Sequence, residues 1–136
     1  AIGIGMLVAQ KLNLPFIYIR PEPKKHGKQN QIEGKFTSGD KVVVIEDLIS
    51  TGKSSLNAAN ALKDSGAKIL GMMGLFTYGF FNAEEEFRKA EIKLQTLCDY
   101  QHLLSEALKI GTINKMQLES LKTWRENPST WSPENR

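Results

Sequence analysis

Val42-Val43-Val44-Ile45-Glu46-Asp47-Leu48-Ile49-Ser50-Thr51-Gly52-Lys53-Ser54-Ser55 decides the architecture. Consecutive β-branched residues suit a strand buried on both faces, as in a parallel sheet. Two adjacent carboxylates follow at the strand end, then a hydroxyl-rich turn with a glycine, then a helix-forming stretch. Open α/β sheets bind ligands at the carboxyl ends of their strands. The backbone N–H groups of the next helix N-terminus favour a phosphate there. Carboxylates for hydroxyls or a metal, beside an anion cradle, describe a sugar-phosphate site.

Working outward, Ser54–Ser65 is expected as a helix closed by Gly66, and Lys68–Phe76 as a central strand, completing a right-handed βαβ crossover. Upstream, Ile4–Leu12 is a short helix ended at Asn13-Leu14-Pro15, and Phe16–Arg20 a strand. Residues 21–40 hold two prolines and three glycines and form a long connection, of the kind that is usually functional. Gln31–Phe36 within it is a candidate hairpin arm. Downstream come a helix from Asn82, an edge strand over Ile92–Leu97, a helix over Tyr100–Ile110 and an Asn114-capped helix reaching Arg125. The segment 127–136 is a surface tail, with Trp124 and Trp131 tacking the C-terminus down. Everything fits a single domain over residues 1–136.

The 136 residues carry a net charge of +3, concentrated locally in Lys24, Lys25, His26, Lys28 and Lys35. A short basic loop suits a small anionic ligand or is simply solvated. A nucleic-acid face would spread its charge along an element with interleaved aromatics. No apolar run approaches the roughly 20 residues of a membrane span. The single Cys98 excludes an internal disulfide and fits a reducing, cytoplasmic compartment; it is expected as a buried thiol. The opening Ala1-Ile2-Gly3-Ile4-Gly5-Met6 has neither an initiator Met nor the basic start of a signal peptide, so an N-terminal portion is expected to be missing.

Gly52-Lys53-Ser54 imitates the end of a nucleotide-binding P-loop, but that pattern needs glycine where Asp47 stands. Two isolated histidines and one cysteine give no zinc spacing. Glu46 and Asp47 are either solvated or capping residues or a ligand pair. Successive strand residues point to opposite sides, so the two carboxylates have different jobs.

The run Val43–Ser54 resembles the phosphoribosyl-pyrophosphate (PRPP) signature of the type I phosphoribosyltransferases. Arg20-Pro21-Glu22-Pro23-Lys24-Lys25-His26-Gly27 resembles the catalytic lid of the orotate-using branch, an arrangement that the purine-using branches lack. The resemblance implies a Rossmann-like α/β fold, a mostly parallel twisted sheet flanked by helices. It also implies transfer of phosphoribose from PRPP to orotate with Mg²⁺ held mainly through PRPP, no direct metal ligand on the protein, and a homodimer whose mobile lid (21–40) serves the neighbouring subunit. Carried over by position, Glu46 and Asp47 face the ribose hydroxyls, and Leu48 and Ile49 lead into Ser50, Thr51, Gly52, Lys53 and Ser54 around the 5-phosphate. Arg20, Lys24 and His26 meet the pyrophosphate, with Lys24, His26 and Asp47 as the catalytic set. Ser50 replaces a threonine that also touches orotate, Pro21 replaces a common lid lysine, and Tyr78 stands where many members have an arginine for the orotate carboxylate. A purine-using enzyme and a non-catalytic PRPP-binding regulator are the alternatives. Neither DNA binding nor membrane association is implied.

Overall fold

The computed structural model describes residues 1–21 and 31–131. Its elements are α1 (Ile2–Leu12), β1 (Tyr18–Ile19), β2 (Ile32–Glu33), β3 (Lys41–Ile49), α2 (Lys53–Asp64), β4 (Lys68–Thr77), α3 (Phe81–Lys89), β5 (Leu94–Asp99), α4 (Tyr100–Lys109) and α5 (Lys115–Glu126). Among the described residues a three-stranded sheet runs in the order β3-β4-β5, parallel throughout, with β4 central as its apolar composition requires.

The βαβ unit follows from the sequence pattern. Leu56, Ala59 and Leu62 recur at helical spacing and are buried, and Gly66 at φ 89° ends α2 in the left-handed region open to glycine. Ile49, Leu56, Ala59, Met72, Ala83, Phe87 and Ile92 form the main core, placing α2 and α3 on one face of the sheet. Burying a large aliphatic side chain there stabilises the fold by about 1.5–3 kcal/mol. The pairing of β3 with β4 shifts register after Val42, which leaves Leu70 as an extra residue pushed outward and 60% exposed.

β3 is not buried on both faces. Its opposite side meets α1 only locally, where a Cβ on Gly5 would stand 3.1 Å from the Phe16 ring and 3.7 Å from Ile45. Val43 stays 49% exposed, because α1 covers only part of that face. Cys98 is likewise exposed rather than buried. It lies on the edge strand β5 next to Leu97, which is 73% exposed, whereas Leu94 earlier in the strand packs against the core.

The strand expected over Phe16–Arg20 is only Tyr18–Ile19, paired antiparallel with Ile32–Glu33. The Arg20 amide donates to the Gln31 carbonyl at 2.8 Å and extends this clasp. The expected long irregular connection is therefore structured at its far end, since Thr37–Asp40 closes a turn through the Asp40 carboxylate. The rest of that segment, with Lys24, Lys25, His26 and Lys28, lies outside the described residues. Asn114 caps α5 in a full capping box with Gln117.

Candidate functional site

The site forms where β3 ends. Glu46 and Asp47 diverge, as alternation along a strand requires. Glu46 turns inward: Oε2 accepts a hydrogen bond from the Ser55 hydroxyl at 3.0 Å, and Oε1 accepts the Asp47 amide at 3.0 Å. Partial burial raises its pKa above the ordinary 4.5, with the neighbouring Asp47 adding to the rise. Asp47 points outward beside the start of α1, with its side chain 54% exposed. Hydrogen bonding with Glu46 holds its pKa below the ordinary 3.8. One carboxylate is thus a buffered, inward acceptor and the other an open anion.

Ser50, Thr51, Lys53 and Ser54 are exposed, whereas Gly52 is buried and serves as the N-cap of α2. Gly52 adopts φ 76°, and a Cβ there would stand 2.8 Å from the Phe87 ring. Only glycine satisfies both constraints. No side chain caps the first turn of α2, so its first amides, which follow directly on the 50–52 turn, have no side-chain acceptor. Amides, hydroxyls and an open carboxylate together suit a sugar phosphate.

The neighbouring strand end supplies the second wall. The Tyr78 amide donates to the Ile49 carbonyl at 3.1 Å, and the Thr77 hydroxyl donates to the same oxygen at 3.3 Å. The Gly79 amide is held by Thr77 Oγ1 at 3.0 Å. The Tyr78 ring packs against Phe76, Phe80, Tyr100 and Trp124, with centroids 5.3–5.7 Å away. Both amides of the turn are therefore engaged internally, which leaves the Tyr78 side chain, rather than its backbone, as what this turn offers a ligand. A cavity of about 580 Å³ opens beside it, bounded by Phe87, Arg88, Thr96, Asp99, Tyr100 and Arg125.

Glu46, Asp47, the 50–54 loop and Tyr78 are thus brought together. Arg20 sits at the clasp between β1 and β2, with its guanidinium 3.8 Å from Glu33. Lys24 and His26 fall outside the described residues. Ser55, Phe87 and Arg125 were missed from sequence. Ser55 closes the Val42–Ser55 stretch but carries no role in the local pattern, whereas Phe87 and Arg125 reach the site through tertiary packing. For a divalent cation the fit is good: Asp47 offers exposed, hard carboxylate oxygens next to a phosphate-binding loop, and Mg²⁺ characteristically takes one or two carboxylates plus substrate phosphates. Among the described residues no cluster of three or more His, Cys, Asp or Glu forms a protein-only cage. No helix among them is long and apolar enough to cross a membrane.

Comparison with known proteins places these features. The chain is 54% identical over 127 residues to the orotate phosphoribosyltransferase of Cytophaga hutchinsonii, covering 93% of this chain and 61% of that protein. It is 52% identical over 131 residues to the orotate phosphoribosyltransferase of Porphyromonas gingivalis, covering 96% and 62%. It spans about three fifths of the length of these relatives. Among solved structures it is similar to Leishmania donovani UMP synthase, with a TM-score of 0.77, 26% identity, and coverage of 92% of this chain and 27% of that one. It is similar also to the orotate phosphoribosyltransferase of Aeropyrum pernix, with a TM-score of 0.67, 28% identity, and coverage of 80% and 59%. No family model matches the chain.

Proposed function

We propose that this chain is part of a type I phosphoribosyltransferase and carries the PRPP-handling part of an orotate phosphoribosyltransferase. The whole enzyme transfers phosphoribose from PRPP to orotate, giving orotidine 5-phosphate and pyrophosphate in pyrimidine nucleotide synthesis. The observation that carries this reading is the divergent Glu46–Asp47 pair feeding into the uncapped, glycine-gated N-terminus of α2.

Breaking the bond between ribose C1 and pyrophosphate builds positive charge on the sugar and negative charge on the leaving group. Asp47 and Glu46 accept hydrogen bonds from the ribose hydroxyls, and Asp47, as the open anion, also offsets the sugar's developing charge. Leu48 and Ile49 set the strand end, and Ser50, Thr51, Gly52, Lys53 and Ser54 hold the 5-phosphate through amides and hydroxyls. Ser50 and Tyr78 face the base. Arg20, Lys24 and His26 meet the pyrophosphate, and His26, whose type titrates near neutrality, donates a proton to it as it departs. Lid closure excludes water and strengthens these charges. A magnesium ion carried mainly by PRPP would supply positive charge to the departing pyrophosphate, with the outward Asp47 carboxylate the protein group beside it and no direct protein ligand required. The lid serves the neighbouring subunit of a homodimer, in a cytoplasmic enzyme.

The test is a magnesium-dependent assay with PRPP in which orotate is compared with adenine, hypoxanthine and uracil. Orotate is consumed selectively if the reading holds. Preferential consumption of a purine replaces it with the purine-using alternative, and PRPP binding without turnover of any base replaces it with the regulatory one.

A further inference from the structure

Arg125 lies in the last turn of α5, far in sequence from the site, yet it grips the turn after β4. Its Nε donates to the Tyr78 carbonyl at 2.8 Å and its Nη2 to the Gly79 carbonyl at 2.7 Å. The acceptors are consecutive carbonyls, a spacing that a planar guanidinium fork spans and a single ammonium does not. Gly79 is shaped to this contact: it adopts φ 63°, and a Cβ there would approach Nη2 to 3.1 Å. The preceding residue, Trp124, packs edge-on against Tyr78 with centroids 5.3 Å apart. One helix end thus holds the turn by its backbone and by its ring.

The gripped turn is coupled to the phosphate side. Tyr78 N–H and Thr77 Oγ1–H both end on the carbonyl of Ile49, the residue immediately before Ser50. A continuous set of hydrogen bonds therefore runs from Arg125 through residues 77–79 to the root of the 50–54 loop.

We propose that Arg125 is a positioning residue for the nucleobase side of the site, fixing the 77–80 turn relative to the phosphate loop so that a planar, carboxylate-bearing heterocycle meets ribose C1 in line. The inference rests on the transferase reading for its kinetic consequence, while the clamp itself is read independently of activity. A small displacement of a reacting partner lowers rates steeply, so the loss appears in use of the base rather than of PRPP.

Arg125→Met keeps the apolar stem and removes every donor. The expected result is a rise of about tenfold or more in KM for orotate, with KM for PRPP changing by less than about twofold. Arg125→Lys restores one donor and recovers part of the loss. An unchanged KM for orotate, or an equal rise for both substrates, overturns the proposal. Amide hydrogen exchange at Tyr78 and Gly79 supplies the activity-independent arm. Exchange there accelerates in the Met variant while Met72 in β4 keeps its protection; unchanged exchange at the turn removes the clamp. Should the wild-type protein fail to use orotate, the transferase reading falls and exchange still decides the clamp. Should the Met variant fail to fold, the same two measurements on Arg125→Lys decide it, with intermediate shifts expected and wild-type values overturning the proposal.

Discussion

β3 and β4 run side by side and end paired at Ile49 and Thr77, with the Tyr78 amide donating to the Ile49 carbonyl, but they end in opposite ways. After β3 the chain offers exposed hydroxyls, an outward carboxylate and a helix start without a side-chain cap. After β4 the amides are engaged, the rings interlock and a distant guanidinium closes over the carbonyls. The first end is built to exchange its hydrogen bonds with a ligand, whereas the second holds its shape. A transfer reaction needs both, because a charged group must be received and a flat acceptor held at a fixed angle to it.

The sharpest way to break this contrast is at Asp47. Asp47→Asn keeps the size and removes the open negative charge; turnover with PRPP should fall by about two orders of magnitude with an unaltered circular dichroism spectrum. Activity near wild type would place the charge elsewhere. Next is Gly52→Ala, which forces a Cβ against Phe87 at a left-handed backbone position. It should cost about 2 kcal/mol in urea unfolding and weaken phosphate binding together. Adding Phe87→Leu should recover part of the stability, and strict additivity would show that the ring is not the obstacle.

A smaller effect tests the inward carboxylate. The folded-state pKa of Glu46 lies above 4.5, so the native state holds its proton to higher pH than the unfolded chain does. The stabilisation is complete below 4.5 and is lost as pH rises through the folded-state value. Asp47 shifts the other way; its contribution is present above 3.8 and disappears as pH falls through its lowered value. Glu46→Gln should therefore flatten the decline in urea midpoint between mildly acidic and neutral pH, and a profile parallel to wild type would refute the assignment. The smallest effect is Asn114→Ala. Losing the capping box of α5 should lower stability by about 1 kcal/mol, with orotate KM unchanged as long as Arg125 keeps its grip.

The contrast between the strand ends also explains what was legible in the sequence. The β3 end is contiguous: strand, acids, turn and helix follow one another from Val42 to Ser55, so local pattern laid out the strand, turn and helix but gave the Ser55 hydroxyl no role. Gly66, Gly111 and Asn114 marked helix boundaries for the same local reason. The β4 end depends on Arg125 and Trp124, whose place beside Tyr78 is decided by how α5 packs, and no periodicity reports that. Cys98 and Val43 misled in a related way. Apolar composition gives the tendency to be buried but not whether a neighbouring element arrives to cover the residue, and here β5 is an edge and α1 covers β3 only in part. The strand near Tyr18 was over-extended because β-branched and aromatic content signals a pleated surface, while its actual length is set by the two-residue partner Ile32–Glu33.

The grip of Arg125 on Gly79 has an evolutionary corollary. A guanidinium 3.1 Å from where a Cβ would stand crowds a side chain at position 79 for as long as the arginine is there. Position 79 and position 125 should therefore covary among homologues: glycine wherever 125 is arginine, and asparagine or aspartate, which tolerate a left-handed backbone, entering at 79 in lineages that have given the arginine up.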